Sequence, residues 1–178
     1  MKSSLRTLGI LAVVVAAAFG YVHLAERKGY ALQPGSEAPA FRLPALAGGD
    51  VDLASQRGKV VVLNFWATWC PPCVAEMPSL ERLHRALVPE GLSVVTVSAD
   101  EDEAELRRFV EEHALTLPVL KDPGGRVAGG LYRTTGYPET FVLDRGGRLL
   151  EHVVGPAVWD APERIAELRR RLEGDASR

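Results

Sequence analysis

A hydrophobic strand that runs into a pair of cysteines constrains this sequence more than any other feature. Residues Val60–Trp66 are almost continuously apolar and rich in β-branched and aromatic side chains, which is typical of a strand covered on both faces. Cys70 and Cys73 follow shortly afterwards. Beyond them the apolar spacing becomes helical, with Val74, Met77, Leu80, Leu83 and Leu87 on one face and Glu76, Glu81, Arg82 and Arg85 elsewhere. The two thiols are therefore expected where a buried strand meets the N-terminus of an amphipathic helix.

The position of this Cys-x-x-Cys pair favours redox chemistry. Unpaired backbone N–H groups and the helix dipole stabilise negative charge at a helix N-terminus, so we expect Cys70 to form the attacking thiolate. Cys73, one helical turn further on, is expected to close a disulfide with Cys70 and release a captured substrate. The alternatives are a structural disulfide, half of a metal site and a haem anchor. Haem attachment would need His where Val74 stands, and zinc needs more ligands than two cysteines and four histidines readily supply.

Two stretches of the sequence resemble the active site of a known family. The stretch 64–78, centred on Trp69-Cys70-Pro71-Pro72-Cys73, and the stretch 136–144, which begins Gly-Tyr-Pro-Glu-Thr-Phe, are similar to the two signatures of the TlpA/ResA/DsbE-like family. Members of that family are membrane-tethered thiol–disulfide oxidoreductases with a thioredoxin fold. The resemblance covers roughly residues 34–172, and the two signatures together are far more specific than a bare Cys-x-x-Cys.

The resemblance implies how the second signature works with the cysteines. Pro138 corresponds to the family's cis-proline and is expected to face Cys70. The backbone of Tyr137 is then free to pair with an extended stretch of substrate, in the manner of an added strand. The residues expected to bind substrate are Trp69, Pro71, Pro72 and Tyr137.

The resemblance also points to one carboxylate. Glu76 matches an acidic position of the family's active site, and it lies three residues past Cys73. Thioredoxin itself has a buried carboxylate at the position of Asn64. Because position 64 has no carboxylate in this sequence, a carboxylate that aids proton transfer from Cys73 has to come from Glu76. Asn64 is expected to have a structural role. The predicted catalytic residues are thus Cys70, Cys73, Glu76 and Pro138.

The order of predicted elements is that of an α/β, thioredoxin-like fold, with a central mixed sheet flanked by helices, an N-terminal β-hairpin and an inserted helix. The hairpin is predicted at 40–43 and 51–53, and the resemblance implies that it extends the sheet. Further strands are predicted at 60–66, 92–98, 117–120, 140–144 and 148–153, and helices after Cys73 and at 102–113, 125–132 and 162–172. The last two strands must be antiparallel, because their turn is too short for a crossover.

The N-terminal residues have the layout of a targeting segment. Within 1–25, two basic residues precede an uncharged apolar run, as in a signal peptide or a signal-anchor, and we favour an uncleaved anchor. Residues 26–36 are polar and contain Gly and Pro, which predicts a linker. The thioredoxin-like domain is expected at 37–173 and a flexible tail at 174–178. This organisation places the domain outside the cytoplasm, in the periplasm or on the outer face of the cytoplasmic membrane.

Composition and charge argue against other classes of partner. The chain has 178 residues, 47% of them hydrophobic and 25% charged, which are ordinary globular values. A formal net charge of −2 and the lack of a basic block argue against a nucleic-acid partner. The acidic run 100–103 is interpreted as charge that favours the start of the helix at 102, since a calcium loop needs a different spacing. We expect no metal site and no organic cofactor.

These observations predict an extracytoplasmic thiol–disulfide reductase tethered to the membrane by its N-terminal segment. The resemblance suggests that it reduces disulfides in apocytochrome c before haem attachment, with electrons from a membrane-embedded thiol donor. One alternative is a reductase for copper-centre assembly. Another is a copper-binding chaperone that uses Cys70 and Cys73 as ligands. A peroxiredoxin is disfavoured, because Ala67 stands where that class needs Thr three residues before its cysteine.

Overall fold

The structure, a computed structural model, describes residues 32–174, and this part of the chain contains seven strands and three α-helices. The strands are β1 (Arg42–Pro44), β2 (Asp50–Asp52), β3 (Val60–Trp66), β4 (Leu92–Ser98), β5 (Val119–Lys121), β6 (Glu139–Leu143) and β7 (Leu149–Val154). The α-helices are α1 (Pro71–Leu87), α2 (Glu103–Glu112) and α3 (Pro162–Gly174). Short 3₁₀-helices at Leu53–Gln56 and Val88–Glu90 and a π-helical turn at Arg126–Leu131 complete the set.

Five of these strands form a mixed sheet in the order β5-β4-β3-β6-β7. The strand β3 pairs in parallel with β4, and β4 pairs in parallel with β5, because helical crossovers connect them. The strand β6 runs antiparallel to both β3 and β7. A short turn at 144–148 joins β6 to β7, and Gly147 adopts the left-handed conformation that this turn requires (φ 75°). The predicted mixed sheet is therefore confirmed.

Successive side chains of β3 point to opposite faces of the sheet, so the core consists of two layers. All seven residues of this strand are buried. Val60, Val62 and Trp66 pack with side chains of α1, α2 and α3, whereas Val61, Leu63 and Phe65 pack with the hairpin and the segment around Tyr132. Asn64 has the parity of the first set. Its polar side chain is therefore directed at the helices, and this matters for the site described below.

The N-terminal hairpin is present but does not extend the central sheet. β1 and β2 form a separate two-stranded antiparallel sheet. A bridge between Ala45 and Leu120 and a bond from Leu46 N–H to Val119 C=O (2.8 Å) link it to the region of β5. The expected continuation of the sheet is therefore wrong, since the contact with β5 is too short to form a strand ladder.

Residues just before the predicted domain start at residue 37 are hydrogen-bonded to the central sheet. Gly35 N–H donates to Leu149 C=O over 2.7 Å, and Leu149 N–H donates to Ser36 C=O over 2.8 Å. Residues 35 and 36, expected to end a linker, thus pair with the first residue of β7. The predicted targeting segment at 1–25, most of the linker and residues 175–178 of the predicted tail lie outside the described residues. Among residues 32–174, no helix has the length and apolar character needed to cross a membrane.

Candidate active site

Cys70 and Cys73 lie at the junction between β3 and α1, as the sequence predicted. Cys70 is the N-cap of α1 and has an extended backbone (φ −102°, ψ 101°). Its Sγ accepts the backbone N–H of Cys73 over 3.3 Å, and the two sulfurs are joined in a disulfide. Cys70 is 5% exposed whereas Cys73 is fully buried. A sulfur that approaches from solvent therefore reaches Cys70 first.

Two prolines shape the first turn of the active-site helix. Pro71 and Pro72 occupy its first two positions and are exposed. Proline suits the start of a helix because its fixed φ matches the helix and its missing N–H would have no partner there. The consequence for the thiols is electrostatic. Neither proline offers Cys70 an N–H, so the first backbone donor that can reach its sulfur belongs to Cys73.

The loop before β6 brings the second signature against the disulfide. The Tyr137–Pro138 peptide bond is cis, and Pro138 is buried. The carbonyl oxygen of Tyr137 lies 3.5 Å from Cys70 Sγ. The backbone of Tyr137 therefore lies directly beside the more exposed sulfur of the disulfide.

Two aromatic side chains stand beside the disulfide. Trp69 is 65% exposed, the highest value among the described tryptophans, since Trp66 and Trp159 are fully buried. The ring of Tyr137 meets that of Trp69 edge to face, with 5.8 Å between centroids. Burial, together with the charges of Asp122 and Glu139, raises the pKa of the Tyr137 hydroxyl. These two rings form one wall of an open groove next to Cys70.

Glu76 is buried inside the protein, only 3% exposed. The apolar pattern of α1 placed it off the packed face, and this interpretation is wrong. Its Oε1 accepts Asn64 Nδ2 at 2.8 Å, and its Oε2 accepts Ala157 N–H at 3.0 Å and Trp159 Nε1 at 3.3 Å. A signal was present in the sequence, because residues spaced three or four apart from Cys73 share its side of the helix.

Two opposing effects act on the pKa of the Glu76 carboxyl group. Burial is the larger and raises its pKa above the ordinary value of 4.5, because the charged form loses hydration. The donors from Ala157, Asn64 and Trp159 act in the other direction but only partly offset it. Glu76 is thus a buried acid whose proton is bound more tightly than in water. It lies one turn beyond Cys73 on the same helix.

A loop after β7 joins both halves of the site. Gly155 N–H donates to the carbonyl oxygen of Pro138 over 2.9 Å. Two residues further on, the loop reaches Glu76 through Ala157, and Trp159 N–H donates to Ser79 Oγ over 3.2 Å. The loop from Gly155 to Trp159 therefore connects the cis-proline to the active-site helix. The sequence patterns gave no indication of this role.

Glu81, a second acid of α1, is also buried rather than solvated. Its Oε2 accepts the N–H groups of Thr116 (2.8 Å) and Leu117 (3.1 Å), and Arg85 donates to Oε1 at 2.7 Å. Burial raises the pKa of Glu81, but these donors outweigh it and bring the pKa below 4.5. The two buried acids of one helix are therefore perturbed in opposite directions.

Asp100 anchors the turn that carries Trp69 and Cys70. The run 100–103 is predicted to place negative charge at a helix start, and Asp102, the N-cap of α2, and Glu103, in its first turn, have that role. Asp100 is buried, and its carboxylate accepts Thr68 N–H (3.0 Å) and Ser98 Oγ–H (2.6 Å). Because β4 is the parallel neighbour of β3, its end lies beside the active-site turn. That placement was the available signal.

Glu139 fixes the chain that leads into the cis-proline. It is 1% exposed, and its Oε1 accepts the N–H groups of Thr135 (2.7 Å) and Gly136 (3.2 Å). Its Oε2 lies 2.8 Å from His152 Nε2 on β7. This carboxylate ties the segment before Tyr137 to the sheet. Within residues 32–174, no three His, Cys, Asp or Glu side chains are grouped as metal ligands would be.

Comparison with known proteins agrees with this geometry. Residues 34–152 match the AhpC/TSA family. The chain is 36% identical over 124 residues to the thiol-disulfide oxidoreductase ResA of Bacillus anthracis, covering 70% of this chain and 71% of the relative. It is 40% identical over 132 residues to the thioredoxin-like protein YneN of Bacillus subtilis, covering 72% and 76%.

Solved structures show the same relationship. A putative thiol:disulfide interchange protein DsbE from Chlorobium tepidum superposes with a TM-score of 0.69 at 31% identity, over 81% of this chain and 98% of that one. A putative thioredoxin from Neisseria meningitidis gives 0.68 at 30% identity, over 79% and 93%. This chain therefore belongs to the AhpC/TSA family and, within its thioredoxin fold, is a thiol–disulfide oxidoreductase similar to ResA and DsbE.

Proposed function

We propose that this protein reduces disulfides in other proteins outside the cytoplasm, and that apocytochromes c are among its substrates. The geometry at the N-cap of α1 supports reduction, rather than oxidation, of the substrate. There the Cys70 sulfur accepts the Cys73 N–H, while Pro71 and Pro72 supply no donor. Because so few donors are available, the Cys70 thiolate is stabilised only modestly. A weakly stabilised dithiol gives up its electrons readily, which favours reduction of substrates.

The proposed reaction starts from the reduced pair. The Cys70 thiolate attacks one sulfur of the substrate disulfide, forming a mixed disulfide and expelling the other substrate sulfur as a thiolate. Cys73 gives its proton to Glu76, and the Cys73 thiolate then attacks Cys70 Sγ. The second substrate sulfur leaves, and the Cys70–Cys73 disulfide remains. The substrate thus gains two electrons. Its two thiolates take up as many protons as Cys70 and Cys73 released.

Burial explains why a protein group is needed for the second step. Cys73 is fully buried, so water has poor access to its proton. Glu76 follows one turn later on the same buried face. Hydrogen bonds from Asn64, Ala157 and Trp159 hold its carboxyl group in place. A carboxylate with a raised pKa is a better acceptor for a thiol proton than an ordinary one. We therefore assign the proton transfer at Cys73, and not at Cys70, to Glu76.

The substrate is proposed to lie across the cis-proline loop. The carbonyl oxygen of Tyr137, the residue before Pro138, lies 3.5 Å from Cys70 Sγ, so the backbone there can bond an extended segment whatever its side chains. Trp69, Pro71 and Pro72 surround Cys70 with exposed apolar surface. The similarity of 136–144 to the second family signature supports apocytochrome c as substrate. The apolar run within 1–25 supports a membrane anchor, with electrons arriving from a membrane-embedded thiol donor.

The test is to trap the substrate in the organism of origin. In Cys73→Ser the exchange halts after Cys70 has attacked, so the mixed disulfide persists. We expect mass spectrometry to find adducts with a secreted protein that carries a Cys-x-x-Cys-His sequence. The matched variant Cys70→Ser should trap much less. Adducts with copper-site proteins alone would reject the cytochrome assignment, and no adduct combined with tight copper binding by the parent protein would favour a metallochaperone.

A further inference from the structure

The indole of Trp159 contacts a charged side chain as well as Glu76. The guanidinium of Arg164, on α3, lies over the face of this ring, with 5.1 Å between its Cζ and the ring centroid. We propose that Arg164 is a positioning residue for the thiol–disulfide reaction, because it holds the indole in the orientation from which Nε1 donates to Glu76. The proposal rests on the proposed function, in which Glu76 accepts the proton of Cys73.

Two carboxylates fix the guanidinium of Arg164. Glu151 on β7 accepts two of its N–H groups, at 2.7 and 3.1 Å, and Glu167 on α3 accepts one at 3.0 Å. A bidentate pair of this kind restricts both the place and the plane of a guanidinium. The side chain of Arg164 is only 19% exposed, and it keeps its charge throughout the working range of pH. Trp159 therefore packs against a cation of fixed orientation.

The indole transmits this restraint to the buried acid. Trp159 is fully buried, and its Nε1 donates to Glu76 Oε2 over 3.3 Å. A bond of this length is already longer than the usual ~2.9–3.0 Å, so a small rotation of the ring would break it. The attraction between a cation and an aromatic face opposes such a rotation. Because this bond lowers the pKa of Glu76, loss of Arg164 should raise that pKa further.

Contact with the ring, rather than a long-range field, links Arg164 to Glu76. The donors that reach the Glu76 carboxyl group, from Asn64, Ala157 and Trp159, are uncharged. The charge of Arg164 itself is balanced by the carboxylates that bind it. The charged side chains around the contact are Glu151 on β7, Glu163, Glu167, Arg170 and Arg171 on α3, and Arg82 on α1 with Asp160, which follows Trp159.

The experiment compares Arg164→Met with Arg169→Met on the same helix, where Arg169 pairs with Glu90 instead (2.7 Å). Each reduced variant is mixed with a peptide disulfide, and the exchange rate is measured against pH. Arg164→Met should move the limb of the profile that depends on Glu76 to higher pH. At a pH on that limb the rate should fall about two- to fivefold, which corresponds to one cation–π contact. Arg169→Met should keep the profile of the parent protein.

Arg164→Lys keeps the charge but not the planar fork, so its limb should lie between those of the parent and Arg164→Met. An unmoved limb in Arg164→Met, or one at lower pH, would overturn the proposal even if the variant is less stable, because a merely structural side chain changes stability alone. If Arg164→Met does not fold, the same two outcomes in Arg164→Lys overturn it, and a limb at higher pH supports it.

A double-mutant cycle tests whether the effect passes through the indole. In a Trp159→Phe background the N–H that Arg164 positions is gone, so adding Arg164→Met should not move the limb any further. A further shift as large as the one seen with Trp159 present would contradict the proposed route from Arg164 to Glu76.

Urea titrations separate the failure of this proposal from the failure of the proposed function. Above pH 4.5 the parent loses stability relative to Glu76→Gln until the pH reaches the raised native pKa of Glu76. With Arg164→Met in both proteins, this loss should continue to higher pH, whether or not Glu76 takes part in exchange. An unchanged window would overturn the action of Arg164 on Glu76. Identical pH–rate profiles for the parent and Glu76→Gln would instead overturn the proton transfer in the proposed function.

Discussion

Replacing Glu76 by Gln removes the proton acceptor while keeping the shape of the side chain. If the carbonyl oxygen of Gln takes the place of Oε2, it still accepts from Ala157 and Trp159. The new amide then faces Asn64, whose Oδ1 has no hydrogen-bond partner among the described residues. A flip of the Asn64 amide turns that oxygen toward the new donor. The change should therefore cost no more than about 1 kcal/mol in the free energy of unfolding.

The pH dependence of stability gives the sharper readout. The native pKa of Glu76 is raised, so between pH 4.5 and that pKa the unfolded chain has lost the proton while the native protein keeps it. Raising the pH through this window favours unfolding by up to ~1.4 kcal/mol per pH unit. The Gln variant has no such group. Urea titrations of the oxidised proteins should show the parent losing stability relative to Glu76→Gln as the pH rises through the window.

Glu81→Gln is the matched control, since it removes a buried acid of the same helix. The native pKa of Glu81 is lowered, so its stabilising contribution is present above pH 4.5 and is lost as the pH falls through the native pKa. The difference from the parent should thus run in the opposite direction. In kinetics, Glu76→Gln should slow disulfide exchange by up to ~10²-fold and change its pH profile, whereas Glu81→Gln should do neither. Identical rates and pH profiles for the parent and Glu76→Gln would refute the role of Glu76.

Three further substitutions test other contacts of the site. Pro71→His adds an N–H and an imidazole beside Cys70, so the reduction potential should rise from near the ~−270 mV of thioredoxin toward the ~−120 mV of DsbA; a parent potential already at the oxidising end would contradict this. Asp100→Ala leaves the Thr68 donors without their acceptor and should lower the free energy of unfolding by ~2 kcal/mol in urea titration, with Asp100→Asn in between; unchanged stability of Asp100→Ala would show that the anchor is unimportant. Trp159→Phe removes a donor that lowers the pKa of Glu76, so the Glu76-dependent limb of the pH–rate profile should move to higher pH, and an unmoved limb would refute the link.

Local pattern was sufficient for the elements that carry the cysteines. The unbroken apolar run predicted a strand buried on both faces, and every residue of β3 is buried. The change from that run to helical spacing predicted that the cysteines lie at a helix N-terminus, and Cys70 is the N-cap of α1. The short turn between β6 and β7 required an antiparallel pair, and the structure has one. These features depend on a few neighbouring residues, so one sequence contains the information for them.

The buried acids depend on partners far along the chain. Glu76 is recognised as buried only when Trp159 and Asn64 are known to lie against it, and they come from a late loop and from β3. An analysis of apolar periodicity assigns every polar residue of a helix to the solvent-exposed face. It contains no information about the hydrogen bonds that allow a polar residue to be buried. The same applies to Asp100, which meets Thr68 through the pairing of β3 with β4. Tertiary register, rather than local propensity, decides these positions.

The direction of electron flow between this protein and a cytochrome-like peptide tests the central claim most directly. Reduced protein is mixed with an equal amount of a peptide that carries a disulfide-bonded Cys-x-x-Cys-His, and the thiols of each are counted at equilibrium. We predict that the peptide becomes mostly reduced as the Cys70–Cys73 disulfide forms, and that Cys70→Ser abolishes the transfer. A peptide that stays oxidised, or one that loses its electrons to the oxidised protein in the reverse mixture, would contradict the account.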